Sequence, residues 1–529
     1  MTRKKVEIFD TTLRDGTQAE KVSLSAEDML HIAQRLDEMG IDYIEGGWPG
    51  SNPKDMKFFS RAKEITFNNS DIVAFGSTRR ANNTVESDRN IQAIIEAETP
   101  AVAIFGKSWL LHVRKALEVE PETNLEMIRD TIAYLKSQGK EVIFDAEHYF
   151  DGYKDDPQYA LKTLKAAAEA GADRVVPCDT NGGSMPREIR KIISDSMAEI
   201  SIPFGIHAHN DSGVAVANSI EAVEQGALHV QGSVNGYGER CGNANLCTVI
   251  PNLQLKSGYK CLEDEKMQEL TGMSYYVSEI ANLQHRNDFP YTGKSAFAHK
   301  GGIHVSAVMK ETSSYEHIDP ETVGNSRRVL VSDLSGKSNI RYKAKELGID
   351  IEQNKENLKE IVNRLKELEN DGYQFEAAEA SLELLINKIN GEYKEIFDLQ
   401  GFRIFIEKNK SGESRCEATI RVEVDGVEEH TAAEGNGPVN ALDNALRKAL
   451  IEFYPKINKL KLRDYKVRVL NGKGGTGAKV RVLIETVEEG EHEDEHNWGT
   501  VGVSHNLIQA SWEALTESVA YYLMKHQGE

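Results

Sequence analysis

The chain has 529 residues, 40% hydrophobic content and a formal net charge of −21 with a sequence pI near 5.3. This allows about two to four domains and disfavours nucleic acid or an anionic membrane surface as the main partner. No apolar run is long enough to span a bilayer, the start lacks the apolar region of a signal peptide, and Cys178, Cys241, Cys247, Cys261 and Cys416 form no CxxC pair, so a cytoplasmic protein with reduced thiols is expected.

The first half of the chain repeats one pattern: a short apolar run, a polar residue at its end, then an amphipathic helical stretch. The runs are Val6 to Phe9, Tyr43 to Gly46, Ile72 to Gly76, Ala101 to Phe105, Val142 to Phe144, Arg174 to Cys178, Pro203 to His209 and His229 to Val234. Helices are predicted over Ser25 to Met39, Asn124 to Gln138, Pro157 to Ala170 and Pro186 to Glu199, several stopping at a glycine (Gly40, Gly139, Gly171). Eight such units fit a (β/α)8 TIM barrel with its active site at the C-terminal ends of the strands. An open doubly wound sheet is the alternative.

In a barrel the polar strand ends ring one mouth: Asp10 with Arg14 and Asp15, Glu45, Thr78, Lys107, Glu147, Asp179 with Thr180, His207 and His209, and Asn235 with the loop to Asn243. His207 and His209 are two residues apart on one strand and so point to the same side. Alone, a His-x-His is as well explained by a satisfied pair at a strand end. With a carboxylate and an amide oxygen beside it, the set suits Mg, Mn, Zn or Co as a divalent metal, with positions left for substrate oxygens.

At Asp10-Thr-Thr-Leu-Arg-Asp-Gly16, Glu45 and His207-Ala-His209, the sequence resembles the acyl-CoA-condensing metal enzymes of the isopropylmalate, homocitrate and citramalate synthase family. The match extends through Gly236-Tyr-Gly-Glu-Arg-Cys-Gly-Asn243 and Phe297-Ala-His-Lys-Gly-Gly-Ile-His304. The resemblance implies a metal held by Asp15, His207, His209 and Asn243, with a 2-oxo acid at the metal and at Arg14, Asp15 and Thr180. It implies that Arg14 lies near the reacting oxygens, where its cation offsets developing charge; an ion pair of Arg14 with Asp15 or Glu45 is expected as well. Glu147 is the candidate acid/base residue or water-positioner, or else a hydrogen-bonding carboxylate of the mouth. His304 and Tyr315 match a His and a Tyr that the family brings over the mouth, often from the partner subunit, as a proton relay.

Beyond the barrel, Leu262 to His285 reads as helical, and Asn339 to Lys394, rich in Lys, Glu, Leu and Asn at helical spacing, as a helical connector with a solvated charged face. From Phe397 onward strands are predicted over Phe402 to Glu407, Cys416 to Val424, Tyr465 to Leu470 and Ala478 to Ile484, with helices over Val439 to Phe453 and Asn506 to His526. Gly472 to Gly477 lacks the Lys-Ser/Thr of a P-loop and reads as a hairpin or ligand loop. Through Gly435-Asn-Gly-Pro-Val-Asn-Ala-Leu442 and Trp498-Gly-Thr-Val-Gly-Val503 this part resembles the regulatory domain of the same family, which dimerises and binds a branched-chain amino acid. The expected division is a catalytic barrel over 1–285, a helical linker subdomain over 286–395 carrying His304 and Tyr315, and an α+β regulatory and dimerisation domain over 396–529. A homodimer or dimer of dimers follows, with isoleucine as the expected effector.

Within the family, Glu45-Gly-Gly-Trp-Pro-Gly-Ser-Asn-Pro-Lys-Asp55 and Asp371-Gly-Tyr-Gln-Phe-Glu-Ala-Ala-Glu-Ala380 most resemble the long-form citramalate branch. That implies acetyl-CoA and pyruvate as substrates and (R)-citramalate as product, on a pyruvate route to isoleucine. Asn181, where many relatives carry a second threonine, and Cys241, where many carry alanine, leave the substrate's shape open. The alternatives are a family member acting on another 2-oxo acid, a hydroxymethylglutaryl-CoA-lyase-like enzyme, which the C-terminal module argues against, and a catalytically idle amino-acid sensor.

Overall fold

The structure, a computed structural model, describes residues 3–332, 335–349, 355–408, 410, 414–470, 472–489 and 497–526. Residues 350–354 of the expected helical connector lie outside the described residues. Two compact units result, 1–297 with 318–326, and 298–317 with 327–529.

In the first unit eight parallel strands close in chain order: β1 Glu7–Asp10, β2 Tyr43–Glu45, β3 Asp71–Ser77, β4 Ala101–Lys107, β5 Glu141–Glu147, β6 Arg174–Asp179, β7 Gly205–Ala208 and β8 His229–Gly232. β8 pairs with β1 from Glu7↔His229 to Asp10↔Gly232, so no sheet edge remains and the chain forms a TIM barrel rather than an open sheet. The helices between the strands carry their own stop and start signals. Ser25 accepts from the Asp28 amide and Asp28 from the Ser25 amide, a capping box that opens helix Ala26–Met39, and Gly40 ends that helix at φ 88°. Proline opens the helices Pro53–Ala62, Pro121–Ser137, Pro157–Glu169 and Pro186–Met197, where its missing N–H is one the helix leaves unpaired in any case.

The barrel interior is layered, because every second residue of a strand faces inward. At the N-terminal end Arg174 pairs with Glu7 and Glu141 and donates to the Tyr43 hydroxyl at 2.9 Å. Above it Phe9, Val73, Ala103, Ile143 and Val176 form an apolar plug. Gly205 is the strand residue that this packing requires: a Cβ there would stand 2.8 Å from the His229 ring and 2.9 Å from Val176. The plug separates the structural ion network below from the polar mouth above.

The second unit begins with a two-stranded parallel ribbon, β9 Ala298–His299 and β10 Arg328–Val329, and the helices Gly302–Val308, Lys337–Glu346, Lys355–Asp371 and Glu379–Asn390. Ile340, Leu358, Ile361, Leu365 and Leu382 share one core. Two antiparallel sheets follow, each with a helix after it. β11 Asp398–Lys408, β12 Ser414–Val424 and β13 Val427–Gly435 precede helix Pro438–Leu450, and β14 Leu460–Val469, β15 Val480–Glu488 and β16 Asn497–Ser504 precede helix Leu507–Lys525. The sequence reading missed β13 and β16. Gly472–Gly477 joins β14 to β15 as the expected hairpin connection. No helix is long and apolar enough to cross a membrane among the described residues.

Candidate active site

The turn after β1 is locked from below. Asp10 accepts the Thr12 amide at 2.9 Å and the Thr12 hydroxyl at 2.8 Å, and the Arg14 and Gly16 amides return to the Thr11 carbonyl. Burial raises the Asp10 carboxyl to about 7. This tight turn delivers the neighbouring Arg14 and Asp15 side chains to the mouth. Arg14 Nε donates to Glu45 at 2.7 Å, its Nη1 to Asp15 at 3.0 Å, and its guanidinium lies 3.9 Å over the Phe75 ring. Both expected ion pairs of Arg14 are therefore present.

His207 and His209, from the end of β7, stand across from Asp15. Their Nε2 atoms lie 3.9 and 3.6 Å from Asp15 Oδ2, their ring centroids are 5.1 Å apart, and all three side chains are buried. These three are a group whose ligand atoms fall within 4.8 Å of one another. Burial raises the Asp15 carboxyl, but the Arg14 charge and the two imidazoles outweigh it and bring it down to about 2. Burial, then the neighbouring His209, lowers His207 to about 3, and burial lowers His209. A carboxylate and two neutral imidazoles facing one point are the protonation states a divalent cation needs.

Asn243 adjoins them. The loop Gly236 to Asn243 folds back so closely that a Cβ on Gly242, at φ +86°, would meet the Gly236 carbonyl at 1.9 Å. Arg240, which the sequence reading did not single out, ties that loop to Asp211 at 2.8 and 3.0 Å and to the Thr180 carbonyl at 2.6 Å. The Thr11 hydroxyl is 2.9 Å from the Gly232 carbonyl and 2.7 Å from Asn243 Oδ1, while Asn243 Nδ2 is buried with no partner among the described residues. One hydroxyl proton shared between two acceptors bonds both weakly, and the carbonyl accepts only. Turning the amide by half a rotation lets Nδ2 donate to Thr11 Oγ1 and puts Oδ1 in the place of the unpartnered nitrogen; amide oxygen and nitrogen are assigned from such networks. The donor set so obtained, one carboxylate, two imidazoles and an amide oxygen, fits a divalent ion.

Asp15, His207 and His209 open into a cavity of about 380 Å³. Arg14, Asp15, Glu147, Thr180, His207 and His209 line its polar side, and Trp48, Phe75 and Phe105 its apolar side. Trp48 meets Phe75 and Phe105 edge-on at centroid separations of 5.8 and 5.6 Å, and its indole N–H donates to Asn90 at 2.5 Å. Glu147 pairs with Lys107, and Thr180 Oγ1 accepts the His148 amide at 2.9 Å. Asp10, Glu45, Thr78, Lys107, Asp179, Asn235 and Asn243, expected at the mouth, are not among the cavity's lining residues: Glu45 pairs with Arg14, Lys107 with Glu147, Asp179 accepts from Ser184, and Asn235 bonds to Ser274 and Ser278. His304 and Tyr315 belong to the second unit, where their rings stack with centroids 4.4 Å apart.

Asp145 and Cys178 also line the cavity and were assigned no role from sequence. Burial, then the neighbouring Glu45, raises Asp145 to about 8. The apolar pattern ends the strand at Phe144; it runs to Glu147, and the alternation Ile143, Asp145, Glu147 is the signal that places Asp145 inside.

A family model described as HMGL-like matches residues 5–277, one described as homocitrate synthase post-HMGL domain-like matches 291–373, and one described as the LeuA allosteric (dimerisation) domain matches 376–523. The chain is 54% identical over 530 residues to the (R)-citramalate synthase of Aquifex aeolicus (strain VF5), covering 99% of each chain. It is 54% identical over 523 residues to that of Geobacter sulfurreducens, covering 99% of this chain and 98% of the other, and 52% identical over 528 residues to that of Synechocystis sp. (strain PCC 6803), covering 98% and 96%. With its barrel matched by the HMGL-like model and its whole length by these relatives, the chain belongs to the HMGL-like family and, within it, to the (R)-citramalate synthases.

Proposed function

We propose that the chain condenses acetyl-CoA with pyruvate and water to give (R)-citramalate and CoA, the first step of a pyruvate route to isoleucine. The observation that carries this reading is the Asp15, His207 and His209 cluster opening into the same cavity as Arg14 and Glu147. Asp15, His207, His209 and Asn243 would hold a divalent ion, which would supply the Lewis acidity to polarise a 2-oxo acid's carbonyl. Thr180 and Arg14 hold the acid's oxygens, and Trp48, Phe75 and Phe105 close around its methyl group. A base, for which Glu147 is the candidate, takes a methyl proton from acetyl-CoA, and the new carbon–carbon bond forms at the keto carbon. The Arg14 guanidinium offsets the negative charge that gathers on the keto oxygen until that oxygen is protonated. Water then cleaves the thioester, leaving a carboxylate and the CoA thiol.

His304 and Tyr315 act as the proton relay, contributed by the partner subunit of a homodimer or dimer of dimers. Three parts carry these tasks: barrel 1–285, linker subdomain 286–395 and regulatory domain 396–529, the last binding isoleucine. The three family matches, to barrel, linker and dimerisation segments, support this division. Chelation is the test. Thiol release should disappear on metal removal and return with added divalent metal, while circular dichroism stays unchanged because the barrel core lies below the mouth. Full turnover in a verified metal-free preparation overturns the reading.

A further inference from the structure

Gln231 sits on β8, fully buried, opposite His207 in the β7–β8 register. Its Oε1 is 2.9 Å from His207 Nδ1, and its Nε2 donates to Asp145 Oδ1 at 2.9 Å. The amide thus reaches from β8 to β5 inside the barrel, joining a histidine of the cluster to the strand that carries Glu147. A carboxamide has one accepting and one donating end. In the orientation that puts the donating end on Asp145, the accepting end faces His207, and His207 Nδ1 then carries the ring proton. That leaves the Nε2 lone pair, the atom 3.9 Å from Asp15, directed at the cluster. His209 has no such support: its Nδ1 is buried with no partner among the described residues.

We propose that Gln231, held in place by Asp145, is a positioning residue that fixes the tautomer and direction of the His207 ring and so readies Nε2 for a divalent cation. The inference rests on His207 being a metal ligand. A hydrogen bond at the far nitrogen of a ligating imidazole fixes the ring and raises its basicity, and losing one typically costs about 10-fold to 100-fold in metal affinity. Gln231 is thereby distinguished from a residue that merely fills the barrel.

The test uses the full chain with ¹⁵N-labelled histidine in metal-free buffer. Long-range ¹H–¹⁵N spectra, with the His207 signals identified by their loss in His207→Gln, should show the proton on Nδ1. Titration with Co²⁺, followed by absorbance, should then show Gln231→Leu binding about 10-fold to 100-fold more weakly than the parent. Gln231→Glu, which still offers Nδ1 an acceptor, should retain parental binding. A His207 proton on Nε2 in the parent overturns the proposal and needs no variant to fold. So does parental Co²⁺ affinity in a folded Gln231→Leu. If the parent binds no divalent cation, the metal reading fails by itself, and the tautomer still decides whether Gln231 orients the ring.

Discussion

Arg14 shows how the site distributes its charges. Its guanidinium is shared between Glu45 and Asp15 and lies over Phe75, so the cation is held by three neighbours in a partly buried position. A planar fork can do this and a lysine ammonium cannot. Arg14→Lys keeps the charge but loses the directed contacts, so kcat/KM for pyruvate should fall roughly 100-fold to 1,000-fold, the effect of losing one fixed donor to a developing oxyanion. Steady-state kinetics at saturating metal measures it, and an unchanged kcat/KM would show that Arg14 is only a structural cation. Of the site residues, Arg14, Asp15, His207 and His209 were legible because charged and imidazole side chains are costly to bury at the end of a barrel strand unless a partner or a ligand meets them there. Gln231 and Thr11 were not, each being an ordinary polar residue until the fold supplies its partner across the barrel, and Asp145 was legible only through its alternation with Ile143 and Glu147.

At the scale of elements, the barrel strands were legible because each is a short β-branched or apolar run bounded by a helix with its own cap. Their ends were less so. β5 reaches Glu147 because the barrel continues pairing past Phe144 with β4, from Phe105↔Asp145 to Lys107↔Glu147, a long-range contact the local pattern does not contain. β13 and β16 were missed for a different reason. β13, Val-Glu-Glu-His-Thr-Ala-Ala-Glu-Gly, is polar and half exposed, and β16 carries glycines at 499 and 502; both depend on their sheet neighbours. One strand position makes a direct test of the interior packing. Gly205→Ala places a methyl against the His229 ring and Val176, an overpacking worth about 1 to 3 kcal/mol. The melting temperature should drop while KM for pyruvate stays near parental, since the clash is with the plug and the layer beneath it, and neither His229 nor Val176 lines the cavity. A variant as stable as the parent would show that the barrel floor is looser than described.

For the whole molecule, the proposed division of labour makes regulation separable from chemistry. An isoleucine bound in the C-terminal domain can act only through its different affinities for two arrangements of the chain. Truncation near Tyr393 should abolish isoleucine sensitivity and lower activity in part. Parallel isoleucine titrations of full-length and truncated protein at matched pyruvate check this, and equal inhibition of both would place the effector elsewhere. The central claim, that the cavity built on Asp15, His207 and His209 condenses acetyl-CoA with pyruvate, is tested most directly by thiol release from acetyl-CoA against a panel of 2-oxo acids in the presence of divalent metal. Pyruvate should give the highest kcat/KM, with weaker turnover of 2-oxobutanoate, because one methylene in an apolar pocket changes binding by only about 1 to 3 kcal/mol. A clear preference for 2-oxoisovalerate, or thiol release that does not depend on any 2-oxo acid, would contradict it.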